Sequence, residues 1–92
     1  METELLDQID KALAAENLYN NDMIQGFIKD TENAIIYAIK NSKWDEIEKR
    51  EDLCKMMKTV DQFKSMFVFY MERGENAKKM LKNLRSGALD KI

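Results

Sequence analysis

Apolar residues recur every three or four positions along most of this chain, with polar residues between them, which is the pattern of amphipathic helices. Two polar segments, 19–22 and 40–43, interrupt the pattern and divide it into three stretches. Proline is absent and only three glycines occur, so few positions can break a helix. The pattern predicts an all-α fold over residues 1–92 as a single domain, either an antiparallel helical hairpin or a small up-and-down bundle of three to four helices.

The first helix is predicted to begin at Thr3, a residue type that caps helix N-termini. Its apolar stripe consists of residues spaced three or four apart, Leu6, Ile9 and Leu13, and is widened by Leu5, Ala12 and Ala15. The polar segment 19–22 predicts a break or a bend, and either Asn21 or Asp22 can cap the helix that follows.

The second helix is predicted from about Met23 to Lys40 and carries two adjoining ridges of apolar or small residues. One ridge consists of Met23, Phe27, Thr31, Ala34 and Ala38, and the other of Ile24, Ile28, Ile35 and Ile39. Two ridges give a wide apolar face, which suits a helix that is contacted by two neighbours. Gly26 lies inside this helix, where it would permit a close helix crossing.

The segment 40–43 predicts a reversal of the chain near Ser42, and Ser42 with Asp45 resembles a capping box for the third helix. This helix carries one apolar seam with alternating steps of four and three, the spacing of bundles and coiled coils. The seam consists of Leu53, Met57, Val60, Phe63, Phe67, Tyr70, Gly74, Ala77, Leu81, Leu84 and Ala88. Thr59 or Gly74 would divide the helix into shorter rods, and Gly87 would cap its end.

Charge is unevenly distributed along the chain, whose net charge is −2. Residues 1–32 hold eight acidic and two basic residues, whereas the remainder holds nine acidic and thirteen basic residues. The simplest interpretation is that the acidic first helix packs near the basic end of the last helix. A binding surface of one sign is the alternative.

Composition excludes most catalytic chemistry. The chain has no histidine, so it lacks the usual proton shuttle at neutral pH and the commonest metal ligand. Its glycines are too far apart for a phosphate-binding loop. The acidic cluster at residues 45–52 is interrupted by Lys49 and Arg50 and is typical of a solvated helix face. We therefore expect that the protein is not an enzyme, that it binds no cofactor, and that it has no catalytic or metal-binding residues.

Cellular location is indicated by two features of the sequence. Cys54 is the single cysteine, so the chain can form no internal disulfide and a reducing compartment is the simplest location. A lone cysteine among apolar residues is usually buried in the core, and we expect this for Cys54. The longest apolar run, residues 66–71, is far shorter than the roughly 20 residues that a membrane-spanning helix needs. We expect a cytoplasmic protein that does not enter a membrane.

A surplus of apolar residues near the middle of the third helix predicts a protein-binding surface, because methionine-rich surfaces adapt to different partners. The candidate residues for binding an amphipathic helix of a partner are Met66, Phe69, Tyr70 and Met80. The alternative is that a second neighbour within the bundle covers them.

A basic patch lies near the end of the chain and consists of Arg73, Lys78, Lys79, Lys82 and Arg85. Of these, Lys78, Lys82 and Arg85 share one helix face. The isoelectric point is about 5.2, and no aromatic residues interleave with the patch, so nucleic acid is disfavoured as the partner.

Two segments resemble the small flagellar export chaperones of the FliT type. The first is the polar turn followed by Trp44-Asp45-Glu46-Ile47, with Arg50 and Leu53 after it. The second is a closing leucine-arginine-x-glycine pattern formed by Arg73, Leu81, Leu84, Arg85, Ser86, Gly87, Ala88 and Leu89. The resemblance covers about two thirds of the chain; the family's final tyrosine is replaced near Ile92, and the first 20 residues carry no matching motif.

The resemblance implies a cytoplasmic all-helical chaperone that masks the helical end of an export substrate. In that family the helical surfaces bind the partner and the C-terminal helix is regulatory, which here implies residues 66–71 and the helix after Asn76. The alternative is a small homo-oligomeric regulator or inhibitor, for example one encoded by a phage, that docks on a host enzyme. In that case the seam of the third helix would mediate self-association, giving a homodimer.

Overall fold

A computed structural model of the chain describes residues 1–90, with side chains through Gly87. Within this range the chain forms three helices and no strand: α1 (Glu2–Tyr19), α2 (Asp22–Lys40) and α3 (Ile47–Asp90). The predicted all-α class is confirmed. The side chain of Ala88 and the whole of Ile92 lie outside what the structure describes.

The start of α2 is fixed by a side-chain cap. The backbone N–H groups of Met23 and Ile24 donate to Oδ1 of Asn21 at 3.0 and 3.1 Å, so two of the unpaired donors at the helix start are satisfied. Of the two predicted caps, Asn21 is therefore the one used. The first helix begins at Glu2, one residue before the predicted start.

The third helix is continuous from residue 47 to residue 90, so the predicted breaks at Thr59 and Gly74 are wrong. The Thr59 hydroxyl donates to the carbonyl of Lys55 at 3.1 Å, one turn back, instead of capping a new helix. Gly74 lies at a buried position where α1 comes close, so its lack of a side chain serves packing.

The chain reverses at residues 41–46, as predicted, but the predicted cap at Ser42 is wrong. The Ser42 hydroxyl donates to the carbonyl of Ile39 at 2.7 Å, which ties it to the end of α2. The third helix begins only at Ile47. Ser42 thus terminates the preceding helix rather than starting the next one.

The chain divides into two compact units, and α3 contributes to both. Unit 1 combines α1, through Tyr19, with the part of α3 that begins at Met66. Unit 2 runs from Asn20 to Ser65 and combines α2 with the first part of α3.

In unit 1 the two helical segments are antiparallel. Glu2 pairs with Arg85 at 3.3 Å near one end, and the rings of Tyr19 and Phe67 lie 5.6 Å apart near the other. The buried cluster between them consists of Leu5, Ala77 and Leu81, with Ile9 packed against it. The acidic first helix does lie beside the basic end of α3, although an ion pair as exposed as Glu2–Arg85 contributes little stability.

In unit 2 the α2 ridge with the four isoleucines packs against α3, and Ile28 and Ile35 are its buried members. Lys64 pairs with Glu32 at 3.4 Å, and the turn joins the opposite ends, so these helices are also antiparallel. The second predicted ridge of α2 stays exposed except at the half-buried Ala38. In the described structure α2 therefore buries one of its two ridges.

The seam of α3 is displaced at two of its positions. Most of its predicted members are buried or half-buried, but Phe63, Tyr70 and Leu84 are exposed. The residues that follow the first two, Lys64 and Met71, are half-buried instead. A strict seven-residue repeat from Met57 passes through Lys64 and Met71. The adjacent aromatic residues, Phe63 and Tyr70, obscured this repeat in the sequence.

Candidate functional site

The turn of unit 2 is held together by one arginine. The Arg50 guanidinium donates to the Ser42 hydroxyl at 3.3 Å, to the Trp44 carbonyl at 3.0 Å and to the Lys43 carbonyl. The backbone N–H of Lys43 donates to the Glu46 carboxylate at 2.7 Å. Residues 42–46 thus form a fixed loop whose Trp44 side chain is 88% exposed.

The hydrogen bond from the Lys43 backbone holds the pKa of Glu46 below its ordinary value, and the positive charges of Lys49 and Arg50 act in the same direction. Since the folded-state pKa is depressed, Glu46 stabilises the turn above the ordinary carboxyl pKa. That contribution is lost as the pH falls through the lowered pKa.

Replacing Arg50 by lysine is expected to destabilise the chain by about 1 kcal/mol, because one ammonium nitrogen cannot reproduce the planar guanidinium whose two terminal nitrogens reach three separate acceptors around the turn. Urea unfolding followed by circular dichroism measures the change. Lys58→Gln, at another cation of α3, is the control and should stay within about 0.5 kcal/mol of the wild type. Equal effects from the two variants would contradict the assigned role of Arg50.

The predicted partner-binding residues all lie in unit 1, on α3. Met66, Phe69 and Met80 are each 47% exposed, and Tyr70 is 36% exposed. Met66 and Met80 each lie seven residues from Arg73, about two helical turns, so the three share one side of the helix. None of these side chains is sealed in the core.

Aromatic contacts organise the middle of this stripe. The Arg73 guanidinium lies 5.5 Å from the centre of the Phe69 ring, and the Phe69 and Tyr70 rings meet edge to face at 5.9 Å. A cation over a ring face and an edge-to-face pair each add modest stabilisation. These contacts orient Phe69 within an otherwise open surface.

A cleft of about 560 Å³ borders the stripe. From α3 it is lined by Tyr70 and Arg73, and from α1 by Thr3, Glu4, Asp7, Gln8 and Lys11. Within it, Lys11 pairs with Asp7 at 3.1 Å. The surface therefore combines the largely apolar stripe of α3 with a polar row on α1 that carries two acidic residues and one basic residue.

Sequence reasoning missed the α1 side of this cleft. Glu4, Asp7 and Lys11 follow one another at steps of three and four, which places them on one face of the helix. That spacing was the available signal, but it becomes informative only once α1 is known to lie beside Tyr70 and Arg73.

The basic patch is not assembled on one surface. Arg73 packs on Phe69, Lys78 pairs with Glu75 at 3.3 Å, and Arg85 pairs with Glu2. Lys82 follows Arg73 by nine residues, about two and a half turns, and lies on the opposite side of α3. Nothing in this geometry gathers the five cations around a phosphate backbone.

Other chemistry is sparse in the described part of the chain. Cys54 is exposed, so its predicted core position is wrong, because its side of α3 lies off the contact with α2. Among residues 1–90 no three His, Cys, Asp or Glu side chains are grouped so that they could hold a metal ion. No helix in that range is long and apolar enough to cross a membrane. No family model, curated protein or solved structure matches the chain.

Proposed function

We propose that this chain is a non-enzymatic, cytoplasmic protein-binding protein that masks an amphipathic helix of another protein. Its helices would act as a helical hairpin or small up-and-down bundle, in the manner of the FliT-type export chaperones that the sequence resembles. The observation that carries the proposal is the half-exposed stripe of Met66, Phe69 and Met80 beside the cleft of unit 1.

The chemistry of the surface favours helix-in-groove binding. A partner helix lying along the cleft would place its apolar side chains on the α3 stripe, where Met66 and Met80 can adapt to different shapes. Its polar flank would face α1, where Glu4 favours lysine or arginine, whereas Asp7 is already paired with Lys11. Phe69, already oriented by Arg73, is the expected anchor.

A direct test uses a fluorescein-labelled amphipathic peptide with a leucine and methionine stripe and lysine flanks, followed by fluorescence anisotropy. Phe69→Ala is expected to weaken binding about 10-fold, since truncating an interface anchor costs more than 1 kcal/mol. Leu13→Ala is the matched control, because Leu13 is an exposed apolar residue of unit 1 that lines a different cleft, with Ile9 and Met71.

Circular dichroism distinguishes a binding role from a structural role. Phe69→Ala should retain the wild-type helix content. A collapse of helix content would assign Phe69 to the core, and equal weakening by the Phe69 and Leu13 variants would show that the peptide binds without using this surface.

A further inference from the structure

The second ridge of α2, which is exposed except at the half-buried Ala38, is uncharged along its whole length. It consists of Met23, Phe27, Thr31, Ala34 and Ala38, and Met23 and Phe27 are 67% and 59% exposed. On α3, Met56 and Phe63 are also about half exposed, with the half-buried Val60 between them. Each set follows helical spacing and so forms one row on its helix.

Both rows lie on the same face of unit 2. In an antiparallel pair, rows that are rotated in the same sense from the line of contact lie on the same side. Relative to the buried Ile28 and Ile35 of α2, and to Met57 of α3, the two rows are rotated in the same sense. The other side of unit 2 is charged and is lined by Ile39, Ile47, Arg50, Glu51, Cys54, Lys55 and Lys58.

From this arrangement we infer that the uncharged face of unit 2 binds the same face of a second copy of the chain, forming a four-helix contact. Only Ile28 and Ile35 are buried within unit 2, so two helices leave most of its apolar surface uncovered. A charged partner surface would lose its hydration against this face without gaining a counter-charge, whereas an identical uncharged face has no charge to desolvate.

The order of large and small residues along α2 fits a twofold axis. If two copies of α2 cross antiparallel with the axis between Thr31 and Ala34, each Phe27 lies over Ala38 of the other copy. Thr31 then meets the other copy's Ala34, and these small side chains allow a close approach. Bulky residues thus face small ones, as an isologous interface requires.

The proposed twofold axis also passes close to residues of α3. Lys64 pairs with Glu32, which places these two residues within about one helical turn of each other along unit 2. Phe63 therefore lies within about a turn of the proposed axis, where it would approach the other copy's α3. An aromatic residue near the centre of an interface is the usual arrangement of a binding hot spot.

The available area is sufficient for a dimer of moderate affinity. From Met23 to Ala38 the ridge is about 24 Å long, and two helices are together about 20 Å wide. Each copy would cover about 500 Å², so the pair would cover about 1,000 Å², the lower bound for a specific interface. We therefore expect a dissociation constant in the micromolar range.

Sedimentation velocity of the full chain over about 1 to 100 μM tests the inference. The 10.8 kDa chain is expected to shift from monomer to dimer over this range. Ala34→Glu, which would bury an unpaired carboxylate at the axis, should weaken the dimer at least 100-fold. Asn33→Glu is the matched control, since the exposed Asn33 points away from the face, and it should leave the dimer intact.

A bismaleimide cross-linker checks the geometry independently. An Ala34→Cys variant that also carries Cys54→Ser should form a covalent dimer, whereas the wild-type chain, whose Cys54 lies on the charged side, should not. Three results would overturn the inference: a wild-type monomer throughout the range, which assigns the face to another occupant; a dimer unaffected by Ala34→Glu; or equal cross-linking through Cys54. None of these results bears on the peptide-binding surface of unit 1.

Discussion

Replacing Gly74 by alanine is expected to destabilise the chain by about 1 to 2 kcal/mol, whereas the same replacement at Gly26 is expected to stabilise it by up to about 1 kcal/mol. A Cβ atom at position 74 would overlap the Cβ of Ala12 and would lie 3.6 Å from the Ala12 Cα and from the Gln8 carbonyl oxygen. At Gly26 a Cβ atom would have no such neighbour within 4 Å.

The opposite signs follow from two competing terms. Alanine gains about 1 kcal/mol over glycine at any interior helix position. At position 74 the obstructing atom belongs to a short side chain that cannot rotate away, so the two helices of unit 1 must separate and lose contacts. At position 26 only the gain remains.

Thermal unfolding followed by circular dichroism measures both variants, and the expected shifts are several degrees in opposite directions. The double variant Ala12→Gly/Gly74→Ala restores the space and should recover part of the lost stability. If Gly74→Ala were neutral or stabilising, the close approach of α1 and α3 would be wrong.

Replacing Ile35 by alanine is expected to cost about 2 to 4 kcal/mol, the largest effect of a single substitution in unit 2. Ile35 is 4% exposed and is one of two buried residues in that unit's described structure. Its truncation removes apolar contacts between α2 and α3 and leaves a cavity, and a small core has few other contacts to compensate.

The neighbouring Ile36 provides a matched control, because it has the same side chain on the same helix but is 40% exposed. Ile36→Ala should change the free energy of unfolding by less than about 1 kcal/mol. Urea unfolding of both variants measures the difference. Similar losses at the two positions would mean that α2 is rotated relative to the described packing.

Much of this fold could be predicted because it depends on local signals. The absence of proline, the polar interruptions and the Asn21 cap define the helices, and each acts within a few residues. Ser42 was misassigned because a serine can cap the helix that follows or bond back to the helix that precedes, and the choice was decided by Arg50, eight residues away.

The candidate site was only partly predictable, for a different reason. Helical spacing places Met66, Phe69 and Met80 on one side of α3, but it does not say which apolar rows are covered. The seam shows this, since Tyr70 is exposed while Met71 is half-buried. Whether an apolar row of α3 is buried depends on which helix packs against it. The contribution of α1 to the cleft likewise depends on contacts between residues some 60 positions apart in the sequence.

The exposed position of Trp44 determines which spectroscopic probes can follow this protein. It is the single tryptophan of the chain, and its indole is already surrounded by water in the folded state. Its emission should change little on denaturation, so a fluorescence melt would underestimate cooperative unfolding. The emission of the same indole would instead change strongly when a molecule binds to the turn at residues 42–46.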